Sequence, residues 1–416
     1  MSDVEMVYPV PIDDADGWVA QEATGFLDDT GGDWFATLLA AERHSWPAIQ
    51  HWGARSGGRW VGTLATEPLL LSVPGGADVT ADGLIGVTVS ATHRRRGLCR
   101  AMMDDSLRAG RDRGAAVSVL FAAEYTIYSR FGYAPATITC GYLLDTRRAG
   151  PIAPDPRGAV RQVTAAELGE IAPGVFERAR RMRAGGVDRP LWWWESCLGL
   201  NGRPAFRAAG AATPVYVVHE GPGGPDGYAW WSVKRGHDGF GLSGRIEVGD
   251  LQAINLDAYR ELWAYLAGID LVSEVEIGFR PPDEPVRWAL TDGRALAPDY
   301  SGDGMWLRLL DVPAALSARR YSCADRLVIE VVDPGGFAAG RFQLDGGPDG
   351  AECRPVPGAE PDLRLDARAL AASYLGGFSL RQRAITGEVE ELTAGAAQRF
   401  DAMFVTAVAP WCGTDF

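Results

Sequence analysis

Three stretches of this chain combine residue types that could do chemistry. The first is "GVTVSATHRRRGLCRAMM" (86–103), where an apolar strand runs into a polar turn and then a helix whose first turn is read as holding three arginines and a glycine. That pattern describes an anion site. The free N–H groups and positive dipole end of a helix start point at phosphate oxygens. A glycine lets the backbone approach closely, and guanidinium groups add charge-assisted hydrogen bonds. "RRRG" alone would fit a solvated helix start equally well, but strand, turn and helix together favour anion binding. Neither G-x-x-x-x-G-K-[ST] nor G-x-G-x-x-G occurs, so this is not a nucleotide P-loop or a dinucleotide fingerprint. The second stretch, "EYTIYSRFGYAPAT" (124–137), offers the Tyr128 phenol. A phenol of ordinary pKa about 10 stays protonated at neutral pH and can donate as negative charge develops beside it. The third is "WCGTDF" (411–416), behind the apolar run "FVTAVAPW" (404–411), which reads as buried. An end tied into the core would hold the Phe416 α-carboxylate in one place, where it could do chemistry. With an ordinary pKa of about 3.5 a carboxylate is a weak base, so in that role burial must raise it or a water must relay the proton.

The first stretch resembles the acetyl-CoA loop of the GCN5-related N-acetyltransferases (GNAT). It is similar in particular to the V-x-V-x-P-x-x-R-R-R-G-L pattern of the enhanced-intracellular-survival (Eis) family. The resemblance implies that Val87 and Val89 lie on the strand that pairs with the pantetheine arm. It also implies that Arg94, Arg95, Gly97 and Leu98 hold the CoA pyrophosphate. Two residues depart from the pattern: Ala91 stands at the usual Pro, and Cys99 at a small Gly/Ala position. The second stretch resembles the family's I-Y-x-R-F-G-Y-x-P-A-T segment, which implies that Tyr128 is a general acid and leaves Phe131 and Tyr133 as packing. The ending resembles a family terminus whose carboxylate is the general base, a role that passes to Phe416. The plainer readings are a packed tyrosine and an end anchored for stability. Phe26, Asp28 and Trp34 fall where such enzymes build the floor of the acceptor pocket, and their aromatic and acidic character suits a cationic amine.

Composition bounds the rest. The chain has 416 residues, 47% hydrophobic and 23% charged, which suits two or three globular domains. No apolar stretch reaches membrane-spanning length, and the start lacks signal-peptide character. Six scattered cysteines without a C-x-x-C pair, and five scattered histidines, give no disulfide framework and no metal site. A cytoplasmic location without a bound metal is therefore expected. A net charge of −14 disfavours nucleic acid and anionic membranes and favours cationic small molecules. The basic residues are all Arg except Lys234.

The elements that must position these groups fall into three blocks. Residues 1–146 read as helices ("DWFATLLAAERH", 33–44, with Asp33 as N-cap), strands at 60–73 and 82–90, the helix of 94–114 and a strand at 116–124. Residues 147–295 open on a linker, "RRAGPIAPDPRG" (147–158). They repeat the order strands, helix, strand, with Leu256, Tyr259, Leu262, Trp263 and Leu266 on one helix face and no Arg/Gly loop. The segment 280–304 is a second linker candidate, and "LWWWESC" (191–197) reads as core or subunit interface. Residues 296–416 are mixed α+β. The fold class expected is thus mixed α/β and α+β. Read with the resemblance, 1–146 is an acetyl-CoA-binding GNAT domain, 147–295 a degenerate GNAT-like copy and 296–416 a sterol-carrier-protein-like domain. The family also implies a homo-hexamer. The function expected is acetyl-CoA-dependent N-acetylation of polycationic amines such as aminoglycosides, or of peptide lysines. The alternative is a lipid-binding protein built on the third domain with a regulatory acyl-CoA site.

Overall fold

The computed structural model describes residues 4–153, 155–200, 212–238 and 241–416, with only the backbone described at 235–238 and 241–243. It comprises two compact units. One is built on the chain up to Thr137 together with Gly304–Pro410 and Asp415–Phe416; the other is Ile138–Asp303 with Trp411–Thr414.

The first unit contains a seven-stranded sheet in the order Val4–Val7, Gln50–Ser56, Arg59–Ser72, Asp78–Val89, Val117–Phe121, Met305–Leu309, Ala134–Pro135. The helix Leu98–Asp112 packs on it through Met102, Met103 and Leu107, spaced to share one face, against Leu64, Leu84, Leu120 and Trp306. Two polar ties fix this helix: Trp52 Nε1 donates to Asp105 at 2.9 Å, and Arg113 pairs with Asp82 at 2.7 Å. The strand Met305–Leu309 joins this sheet from far along the chain, between Val117–Phe121 and Ala134–Pro135. The same unit carries a five-stranded sheet, Gly350–Pro355, Gly340–Gly347, Asp325–Val332, Leu363–Asp366, Val389–Glu391. Its strand Asp325–Val332 alternates as a half-buried strand should, with Leu327, Ile329 and Val331 inward.

The second unit is built on a seven-stranded sheet, Leu296–Asp303, Ile138–Asp145, Val272–Arg280, Gly241–Ala253, Gly224–Asp238, Val215–Gly221, Ala159–Val163, with the helix Leu256–Ala267 packed on it. The expected order of strands, helix and strand is met here. Several details differ. The linker candidate 147–158 contributes Ala149 and Ile152 to the core, and 280–304 contributes Val286, Leu290 and Leu296, so both are packed segments. Leu256 is 72% exposed because it begins its helix, one turn short of the apolar face. The helix at 33–44 is Gly32–Ser45 with Gly31 as N-cap; Asp33 lies inside the first turn, where its charge still complements the dipole. The run 404–411 is not buried throughout: Phe404 is, while Val405 and Val408 are exposed. In "LWWWESC", Trp194 is core, and Arg189 lies 4.1 Å from the Trp193 ring and 4.0 Å from that of Phe176.

Candidate active site

The strand Asp78–Val89 is paired along one edge with Arg59–Ser72 over nearly its whole length. Along the other edge it meets Val117–Phe121 only at Ala81, Asp82 and Gly83. Past Gly83 the two strands part, so Leu84 to Val89 keep an edge without a strand partner among the described residues. Such an edge offers N–H and C=O groups to an extended, amide-bearing ligand. A bulge sits on this stretch: Thr63 opposes Thr88 and Ala65 opposes Ile85, leaving Gly86 and Val87 against one residue. Gly86 takes φ 62°, and the Thr63 hydroxyl donates to its carbonyl at 2.8 Å. Val87 and Val89 are half-buried and pack against the cluster that holds Tyr128.

At the strand's end the chain makes a short turn, Ala91–His93, and reaches the arginines. They lie before the helix and not in its first turn, which corrects the sequence reading. Arg95 (φ 62°) and Gly97 (φ 83°) are left-handed, a conformation that excludes a right-handed helix until Leu98. Gly97 is the N-cap and no side chain caps the helix start, so its first amides remain free to bind an anion. Arg94, Arg95 and Arg96 are exposed and have no carboxylate partner among the described residues. Free strand edge, uncapped helix start and unpaired guanidiniums fit the amides and pyrophosphate of coenzyme A. Neither departure disturbs this: Ala91 opens the short turn, and Cys99 packs half-buried in the cluster, where burial pushes its thiol up.

Tyr128 ends the short helix Tyr125–Tyr128, which follows Val117–Phe121, and is 6% exposed. Burial raises its phenol well above the ordinary range, with Cys99 and Glu124 adding to the effect. Its hydroxyl has no hydrogen-bond partner among the described residues. Tyr133 differs: its hydroxyl lies 2.7 Å from Ser118 Oγ, and with buried Phe131 it is packing, as expected.

Phe416 sits where the two strands part. Its ring centroid is 5.3 Å from that of Phe121, and its Cδ2 lies 3.2 Å from where a Cβ on Gly83 would be. Gly83 is the last paired residue before the strands part, so Phe416 occupies the mouth of the gap.

The acceptor residues are distributed over two helices and their junction. Phe26 caps the helix Ala15–Gly25 and is 45% exposed, Asp28 follows it exposed, and Trp34 is half-buried in the first turn of Gly32–Ser45. Sequence reading missed Glu22 and Glu42. Glu22 fills the space above Gly86 at the bulge. Burial, then Glu42, then Asp28 hold its carboxyl well above the usual range, and burial raises Glu42 to about 7. The two glutamates come from different helices, so no local spacing could have announced them. No group of three or more His, Cys, Asp or Glu is placed to hold a metal among the described residues.

Comparison with known proteins agrees with this architecture. Residues 7–136 and 185–309 match acetyltransferase (GNAT) domain families, and residues 312–413 match a sterol carrier protein domain family. An uncharacterized N-acetyltransferase of Streptomyces griseus is 38% identical over 407 residues, 95% of each chain. N-acetyltransferase Eis of Mycobacterium tuberculosis is 33% identical over 405 residues, 95% of this chain and 96% of its own. The crystal structure of Eis1 from Mycobacterium abscessus superposes with a TM-score of 0.84 at 30% identity, covering 99% of this chain and 100% of that one. Two GNAT domains followed by a sterol-carrier-like domain, with an open strand edge leading to an uncapped helix start, define an N-acetyltransferase of the GCN5-related class, which draws its acetyl group from acetyl-CoA. Within that class the chain belongs to the Eis family.

Proposed function

We propose that this N-acetyltransferase acetylates amines of polycationic small molecules such as aminoglycosides, at one or several positions, and accepts lysine-containing peptides by the same chemistry. The observation that carries the reading is the position of Phe416 at the mouth of the strand splay, beside the free edge of Leu84–Val89. Bound acetyl-CoA supplies an activated acetyl thioester. Val87 and Val89 present the strand edge to the pantetheine arm, and Arg94, Arg95, Gly97 and Leu98 hold the pyrophosphate. The α-carboxylate of Phe416 takes a proton from the acceptor ammonium, directly or through water, and Tyr128 Oη gives one to the departing thiolate. Burial keeps the Tyr128 phenol in its protonated form at neutral pH, the form an acid must have before it donates. Phe26, Asp28 and Trp34 receive the acceptor. The mutual crowding of Glu22, Glu42 and Asp28 supports a cationic one, since an ammonium relieves like-charge repulsion.

The proposal extends to a homo-hexamer, to a cytoplasmic location consistent with six cysteines that form no disulfide, and to a division of the chain at about residues 146 and 295. The lipid-binding alternative is disfavoured by the interior of the third domain. There the fully buried Arg319 donates to the carbonyls of Phe404 (2.9 Å) and Tyr374, a poor lining for an acyl chain.

The test is CoA release from acetyl-CoA with a polyamine aminoglycoside. One added glycine after Phe416 is expected to lower kcat at least about 100-fold while acetyl-CoA still binds, the loss typical of a displaced general base. Tyr128→Phe is expected to lose a similar factor. Full turnover by the extended protein would reduce Phe416 to an anchor, and full turnover by the tyrosine variant would remove the acid.

A further inference from the structure

A cavity of about 380 Å³ lies between the helix Leu98–Asp112 and the turn 333–338 of the sterol-carrier-like part, all within the first unit. Arg100, Asp104, Leu107, Arg108 and Arg111 reach it from one helix face, their spacing keeping them on that side. Arg130 and Arg308 enter from elsewhere. Arg100, Arg108, Arg111 and Arg130 have no carboxylate partner among the described residues, although Asp104 lines the same cavity. Other arginines of the unit are paired: Arg43 with Asp16, Arg113 with Asp82, Arg399 with Asp325. In a chain of net charge −14, four guanidiniums left around one hollow are an anomaly that bound anions would resolve.

Arg308 gives an independent observation. It is 1% exposed and pairs with Asp333 at 2.8 Å, yet its Nε–H is buried with no acceptor. Buried donors of this kind are rare without a partner. The opposite wall is built for the guanidinium. Asp333 accepts from the amides of Gly335 and Ala338 at 2.9 Å each, which fixes the turn. A Cβ at Gly335 would lie 2.7 Å from Arg308 Nη2. Phe337 sets its ring 4.7 Å from the Arg308 guanidinium and 5.1 Å from that of Arg111.

We infer that this arginine-lined cavity binds a phosphate-bearing ligand, its oxygens held by Arg100, Arg108, Arg111 and Arg130, with Arg308 adding positive charge from the wall behind them. Two sources share this chemistry. One is the 3′-phosphate of acetyl-CoA itself, an assignment that rests on the proposed cofactor site at Arg94–Leu98. The other is a separate nucleotide bound beside it.

The experiment uses the full chain, wild type and Arg108→Ala/Arg111→Ala, two exposed positions whose replacement spares the core; matching thermal unfolding verifies this. Acetyl-CoA and 3′-dephospho-acetyl-CoA are titrated calorimetrically, and ATP is titrated onto protein saturated with acetyl-CoA. A loss of tenfold or more in acetyl-CoA affinity, with dephospho-acetyl-CoA unchanged, assigns the cavity to the cofactor's own phosphate. Unchanged acetyl-CoA binding, with ATP weakened tenfold or more, assigns it to a separate nucleotide. Less than a twofold change for both ligands overturns the inference. Should wild type fail to bind acetyl-CoA at all, the proposed function falls, and the ATP titration on the free protein still decides the cavity.

Discussion

The two acetyltransferase-like sheets run the same course, and they differ where a cofactor would lie. In the first, Asp78–Val89 pairs with its parallel neighbour up to Gly83 and then leaves an open edge. In the second, Gly241–Ala253 pairs with Val272–Arg280 up to Val248 and also parts. There the gap is filled from within: Arg280 Nη1 donates to the Leu251 carbonyl at 3.0 Å while its Nε pairs with Glu284 at 2.7 Å. The strand-to-helix turns differ in the same sense. The first has Arg95 and Gly97 in left-handed conformations and no cap, whereas the second has Asn255, whose side chain accepts from Ala258 N at 2.8 Å. The acids differ as well. Glu22, Glu42 and Asp28 crowd one another, while Glu284 and Asp250 pair with Arg280 and Arg189, and Glu261 meets His219. A binding site here is a set of hydrogen-bond and charge demands left unmet by the chain. In the second copy the chain meets those demands with its own side chains.

Arg280→Ala attacks this contrast most strongly. It should destabilise the protein by about 4 kcal/mol, the usual cost of stranding a buried carboxylate such as Glu284, and should not create acetyl-CoA binding. Urea unfolding and calorimetry read the two halves of that expectation, and a stable variant that bound a second acetyl-CoA would show that one side chain had closed the site. Arg94→Ala/Arg95→Ala comes next. Losing two charge-assisted contacts should weaken acetyl-CoA about 100-fold, visible as a raised KM with little change in kcat. An unchanged KM would leave the uncapped helix start as the whole phosphate site. The smallest effect concerns the crowded acids. Glu42 has its folded pKa raised from 4.5 to about 7, so its contribution to stability is full below pH 4.5 and is lost as pH rises through 7. Glu42→Gln should therefore match wild type at about pH 4 and exceed it by about 1 kcal/mol at about pH 8, allowing for partial exposure. Equal stability at both pH values would show that the carboxylate is solvated.

Most of the first site was legible because its elements are local: an apolar strand, a polar turn and an amphipathic helix follow one another within 86–112. The start of the helix was misplaced because arginine is a good helix former, and only the backbone reveals that Arg95 and Gly97 are left-handed. Strand order was out of reach. Nothing local in Met305–Leu309 says that it pairs with Val117–Phe121, and nothing in Ile138–Asp145 says that it joins the second sheet. The plug at Arg280 was hidden for the same reason, since an arginine ending a strand is ordinarily a surface residue.

The late strand Met305–Leu309 also sets an order of events during synthesis. Val117–Phe121 leaves the ribosome with one neighbour, Asp78–Val89, and that pairing covers only three residues. Its second neighbour follows roughly 10 to 40 s later at translation rates of about 5–20 residues per second. Until then the apolar strand that flanks the splay has a bare edge, open to the wrong partner. The nascent chain thus has a defined interval of vulnerability, which closes only when Met305–Leu309 has been made, and during that interval chaperone protection would matter most.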